Sequence, residues 1–274
     1  MEAEVLEVRL IAEWMPRFNR VGTRAGAYTY LKLTLNEAFP RLSVVRTTKD
    51  DGAFYLGPLP SSRFAKRVAE AIETSVPLRR CSSRPTGQRE AACAPAQLGV
   101  ATCPCAGTVT PEQYDQIVQR TLRGLTREPE LLLAPLRERM AALARDHRFE
   151  EAADVRERAA ALSAALERQR RLERLRSAGR VLIELDDGGG AELVNGHLVR
   201  SWADHQPPLG LDLHQPASGA VVARDEVDEL LCVARWLDER AGRYRLTHCD
   251  GGLASPFPRL PSFVPGRRRR SAVS

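Results

Sequence analysis

The sequence predicts an α+β protein assembled from small units, and three observations predict it. Residues 28–56 hold three short segments of alternating or β-branched character. Residues 131–177 are almost all helix formers, without a glycine and with one proline, Pro135. Beyond Gly179 short alternating segments return, separated by the turn dipeptides Asp187-Gly188 and Asn195-Gly196.

In chain order, residues 2–13 read as a helix with Val5, Leu6, Leu10 and Ile11 on one face and Pro16 as the stop. Strands are expected over Tyr28 to Thr34, Leu42 to Thr47 and Ala53 to Leu56, the last broken by Gly57-Pro58. Ser61 or Ser62 caps a helix running to about Thr74. These elements make a small α+β unit over 21–77.

Residues 78–109 form a loop-like stretch holding four of the six cysteines. Thr110-Pro111-Glu112 opens a helix expected to run to about Arg123: a capping residue, proline at the first helical position, then an acid in the first turn. A turn at Asp146 to Arg148 splits the following helical stretch into an antiparallel hairpin at about 134–169, within a helical region spanning 110–178. A small C-terminal α+β unit over 180–254 follows: a meander, a helix from Asp225 to Arg240 and a last strand from Tyr244 to His248. Residues 255–274, rich in Pro and Arg, are expected to form a disordered basic tail.

The chain has 274 residues and a formal net charge of +6, a length that suits one large domain or two to three small ones. No run of about 18 apolar residues offers a membrane span. Met1 is followed by acids rather than by a secretory leader, so the expected location is the cytoplasm. Only three of the 41 basic residues are lysine, a bias of the kind a GC-rich genome imposes. The basic balance favours an anionic partner such as nucleic acid, with a merely solvated basic surface as the alternative. Arg63, Lys66 and Arg67, at i, i+3 and i+4, share one helix face, and Arg41, Arg46 and Lys49 lie nearby in sequence. The Arg267 to Arg270 run offers a further basic contact or a solvated tail.

The hairpin carries the most specific pattern. Leu136, Met140 and Leu143 form one apolar stripe, and Val155, Ala159, Leu162 and Leu166 form another that can face it. Ala152 and Ala153 permit close approach near the turn, where Phe149 supplies a large aromatic suited to anchoring a partner. Spacing alone is equally consistent with an ordinary coiled-coil hairpin. Cys81, Cys93, Cys103 and Cys105 are spaced by eleven, nine and one residues. Clustered thiols outside an oxidising compartment point to zinc or an iron–sulfur cluster, with reduced free thiols as the alternative.

Phe149-Glu150-Glu151-Ala152-Ala153-Asp154-Val155-Arg156, preceded by Met140 and Leu143, resembles the UVR motif of the UvrC excinucleases. The resemblance extends from residue 2 to about 178 through Leu6 to Asn19, Tyr30 to Thr34, Phe39 to Leu42, Tyr55 to Pro58, Pro77 to Cys81, Cys93 to Gly99, and Cys103 with Cys105. It implies nucleotide excision repair of damaged double-stranded DNA, with Phe149, Glu150, Ala152, Ala153 and Arg156 docking a UvrB-like helicase. It also implies a four-cysteine iron–sulfur site, although Cys103-Pro104-Cys105 is closer than the family's final pair. Glu7 matches the metal-holding glutamate of a GIY-YIG nuclease, which would use magnesium or manganese. It reads equally as a solvent-facing helix acid. The tyrosine and arginine part of that site would precede Met1, so residues 1–20 are read as the last helix of such a domain. The expectation is a catalytically incomplete fragment or a non-enzymatic adaptor binding DNA and a UvrB-like helicase. Residues beyond 180 are similar to the end of actinobacterial fusions that join a DEDD exonuclease to a UvrC-like half.

Overall fold

A computed structural model describes residues 1–14, 28–82, 85–88, 91–203, 209–210, 226–253 and 259–263. The helices are α1 (Glu2–Trp14), α2 (Ser62–Ser75), α3 (Ala94–Gln97), α4 (Pro111–Thr126), α5 (Glu130–Arg145), α6 (Phe149–Ser177) and α7 (Val227–Glu239). The strands are β1 (Thr29–Leu33), β2 (Leu42–Val45), β3 (Phe54–Leu59), β4 (Arg180–Leu185), β5 (Gly190–Val194), β6 (His197–Trp202), β7 (Leu209–Gly210) and β8 (Tyr244–Cys249). They form two antiparallel sheets, ordered β2-β1-β3 and β7-β6-β5-β4-β8. The α+β class expected from the sequence is the one observed.

Two cores hold the molecule together. The first joins the three-stranded sheet to α2, α4, α5 and the first half of α6 through Leu31, Leu56, Ile72, Tyr114, Leu136 and Leu162. The second joins the five-stranded sheet to α7, the end of α6 and α1 through Val5, Leu175, Ile183, Leu193, Leu230 and Val233. Helix α6, about 43 Å long at 1.5 Å per residue, serves both: Leu166 closes the first core and Leu172 opens the second.

Local chemistry explains the elements. Ser61 caps α2 by accepting the Phe64 N–H at 3.2 Å. Thr110 and Gln113 form a reciprocal capping box at the start of α4. Asn195 (φ 51°) and Gly196 (φ 86°) both take the left-handed backbone that joins β5 tightly to β6.

Three expectations need correction. Gly57-Pro58 does not end its strand: β3 runs on to Leu59, with a register shift against β1 that absorbs the dipeptide. This is tolerated because β3 is an edge strand, where a missing N–H costs no ladder bond. Helix α4 continues past Arg123 to Thr126, and Gly124 within this last turn lets Leu132 approach closely; a Cβ there would lie 2.5 Å from Leu132 Cγ. Helix α1 packs on α7 and β6 and places Val5 in the second core. Residues 259–263 are not a disordered tail, because Phe263 lies in the first core at 7 % exposure. Asp225, Arg267 and Arg270 lie outside the described residues.

Candidate functional site

The cysteine loop is built against a buried cation. Arg79 is 2 % exposed. Its N–H is accepted by the Tyr114 hydroxyl, which donates to the Pro40 carbonyl, both at 2.8 Å. The guanidinium donates to the Phe39 carbonyl at 2.6 Å, to the Cys81 carbonyl at 3.2 Å and to Cys81 Sγ at 3.7 Å, and it pairs with Glu37. Sequence reasoning missed Arg79 as a functional residue; its one available signal was a basic side chain two residues ahead of the first cysteine.

All six cysteines are free. The Cys93 N–H donates to Cys103 Sγ at 3.5 Å. Burial alone would push the Cys103 thiol up, but hydrogen bonds from Cys93 and Cys105 outweigh it and bring it down to about 7. Cys105 is pushed up to about 11 by burial and then by the neighbouring charges of Cys81 and Cys103. Cys103 thus interacts with Cys93 and Cys105, and Cys105 with Cys81. The donor chemistry suits zinc or an iron–sulfur cluster. The positions do not: among the described residues, no three His, Cys, Asp or Glu side chains are gathered to hold a metal ion.

The predicted partner-binding residues divide between the surface and the seam of the α5–α6 hairpin. Phe149 stands at the tip, 63 % exposed, with its ring edge-on to His147 at 5.8 Å between centroids. Glu150 is exposed beside it, and Ala153 and Arg156 are half-buried. Ala152 is 8 % exposed and belongs to the first core, so it closes the hairpin on itself. Leu136, Leu143, Val155, Ala159, Leu162 and Leu166 form the buried seam, and Met140 packs against it half-buried.

On α2, Arg63 and Lys66 are exposed and line one shallow groove with Arg67 and Glu70. Arg67 also reaches across to pair with Glu157 of α6, so its charge is partly spent inside the molecule. Glu7 is exposed on α1, while its neighbours Val5 and Arg9 turn towards the second core. The structure does not bring Glu7 together with the cysteines or the hairpin tip.

Residues 28–124 match the family described as the UvrC/Cho excinuclease middle domain. The UvrABC system protein C of Syntrophus aciditrophicus is 38 % identical over 169 residues, covering 62 % of this chain and 27 % of that protein. The one from Desulforudis audaxviator is 34 % identical over 194 residues, covering 71 % and 31 %. The one from Thermus thermophilus is 37 % identical over 164 residues, covering 60 % and 28 %. The chain thus spans less than a third of the length of these relatives. No solved structure matches it. The three strands β1 to β3, α2, the cysteine loop and α4 as far as Gly124 fall inside the matched segment, and over that segment the chain is similar to the UvrC/Cho excinuclease middle domain.

Proposed function

We propose that this chain works in nucleotide excision repair as a UvrC-like component, contacting damaged DNA and docking a UvrB-like helicase through the α5–α6 hairpin. The observation that carries the docking reading is the exposed Phe149 on an otherwise well-packed hairpin. A large aromatic held outward on a rigid tip makes an anchor with little ordering left to lose on binding. Glu150, Ala153 and Arg156 flank it as the remaining contacts. Arg63 and Lys66 are the cations of α2 best exposed to a phosphate backbone, and such contacts read no sequence, as a repair factor acting on any lesion site requires.

Calorimetry of the full chain against a UvrB-like helicase tests the docking. Phe149→Ala should cost about 2–4 kcal/mol of binding, and unchanged affinity would make the hairpin a purely structural element. A role in incision is proposed at the level of the assembly, with Glu7 as the candidate metal-binding carboxylate. For the cysteine loop the proposal is zinc or an iron–sulfur cluster on Cys81, Cys93, Cys103 and Cys105. It is supported by the adjoining thiols and by the Arg79 counter-charge, and binding would require the loop to draw the four together. Metal content of protein prepared without oxygen, beside Cys103→Ser, decides it.

A further inference from the structure

Residues 259–263 lie against the middle of α6, and the contact has the chemistry of peptide recognition. Ser163 and Glu167 sit one turn apart on α6 and grip the segment's backbone by one acceptor and one donor. The Ser163 hydroxyl donates to the Pro261 carbonyl at 3.0 Å, and the Leu260 N–H donates to Glu167 Oε1 at 2.6 Å. Ser163 is itself 6 % exposed, so its hydroxyl sits in the wall of the site rather than on open surface. On either side of this backbone grip, two apolar side chains three residues apart act as anchors: Leu260 packs on the first core and Phe263 is buried in it. Pro261 and Ser262, between the anchors, face outward.

The rest of α6 sets this face apart. Val155, Ala159, Leu162 and Leu166 point into the hairpin seam with α5, and Arg158 faces α2 through Glu70 and Thr74. Ser163 and Glu167 lie on a third side. It is covered by a short segment without helix or strand that belongs to neither the hairpin nor either sheet.

We propose that this side of α6 is a peptide-binding surface for a Leu-Pro-x-Phe segment, and that the chain fills it in cis with its own residues 260–263. Backbone recognition by Ser163 and Glu167 sets the position and direction of the peptide, and the two apolar anchors supply the affinity. A partner carrying the same pattern must displace the cis segment before it can reach α6. This holds whether or not the hairpin tip docks a helicase, because Phe149 is about 21 Å from Ser163 along the helix at 1.5 Å per residue.

The test uses a fluorescent peptide of sequence Arg-Leu-Pro-Ser-Phe-Val and the full chain carrying Leu260→Ala with Phe263→Ala. Anisotropy should show saturable binding to the double variant, and none for a control peptide with Ala in place of Leu and Phe. Wild-type chain should bind at least about tenfold more weakly, because a cis segment seated for more than about nine-tenths of the time leaves only the remainder open. A chain ending at residue 258 removes the segment without new side chains and should behave like the double variant. No binding to either altered chain while its circular dichroism stays native overturns the proposal, as does equal binding to wild type. Loss of folding in both altered chains also overturns it, since the segment would then be core rather than ligand.

Discussion

The two cores are joined by one helix but are held together by different chemistry. The first is closed by stripes of leucine, valine and alanine between α5, α6 and α2, and its ion pairs, such as Arg67–Glu157 and Arg158–Glu70, lie at the rim. The second is closed on one side by a charged contact. Arg9 of α1 donates from Nε and from its terminal nitrogen to the two oxygens of Glu229 at 3.0 and 2.7 Å, and also to the Leu198 carbonyl at 2.7 Å. Glu229 in turn accepts the Leu198 N–H at 3.0 Å and lies 3.5 Å from His197. Apolar stripes carry a period that can be read from sequence. A part-buried arginine–carboxylate pair between residues 9 and 229 carries no local signal at all. That is why the place of α1 in the second core could not be read from the residues around it.

The largest expected effect breaks the charged side. Arg9→Ala leaves Glu229 buried without its cation, a loss of about 3–5 kcal/mol. Hydrogen exchange should accelerate in β4, β5 and β6 and leave β1 and α2 protected. Equal acceleration in both sheets would show that α6 fuses the cores into one cooperative unit. Acid gives the next effect. Burial alone would raise the Glu229 carboxyl, but hydrogen bonds from His197 and Arg9 outweigh it and hold it at about 2, against an ordinary 4.5. A depressed carboxyl stabilises the fold above its unfolded value, so this contribution is complete above pH 4.5 and is lost as pH falls towards 2. It amounts to about 3 kcal/mol at one pK unit per 1.36 kcal/mol. Glu229→Gln should flatten that part of the stability profile, and an unchanged acid limb would mean that other carboxylates set it. The smallest effect lies at the tip of the first core: Phe149→Ala should change stability by less than about 0.5 kcal/mol. A larger loss in thermal unfolding would mean that the ring serves the fold rather than a partner.

Much of the architecture was legible from short-range signals. The Thr110 cap, the turn at Asp146 to Arg148, the Asn195-Gly196 hairpin and the facing stripes of the α5–α6 hairpin all stand where the sequence puts them. What could not be read depends on contacts distant in sequence. Nothing near Arg79 announces that it will be buried under Tyr114 and aimed at Cys81. Nothing near Phe263 announces α6, because a proline- and arginine-rich neighbourhood masks two well-placed anchors. The basic face of α2 was readable as a face, but the pairing of Arg67 with Glu157 was not, since it depends on how α2 crosses α6. The hairpin motif likewise cannot say by itself that Ala152 turns inward while Ala153 stays half-buried.

The continuity of α6 has a mechanical meaning. Ser163, where residues 260–263 rest, stands near the middle of the rod, about 21 Å from Phe149 and about 18 Å from Leu175 at 1.5 Å per residue. A rigid rod pivoting there moves its two ends in opposite senses: a tilt of about 10° displaces the tip by roughly 4 Å and the far end by roughly 3 Å, taking those same helical distances as the two arms. The far end is wedged among Leu230, Val233 and Val181, and close-packed interiors resist shifts of that size. A load applied at Phe149 is therefore felt by the five-stranded sheet, and the 260–263 segment sits at the fulcrum.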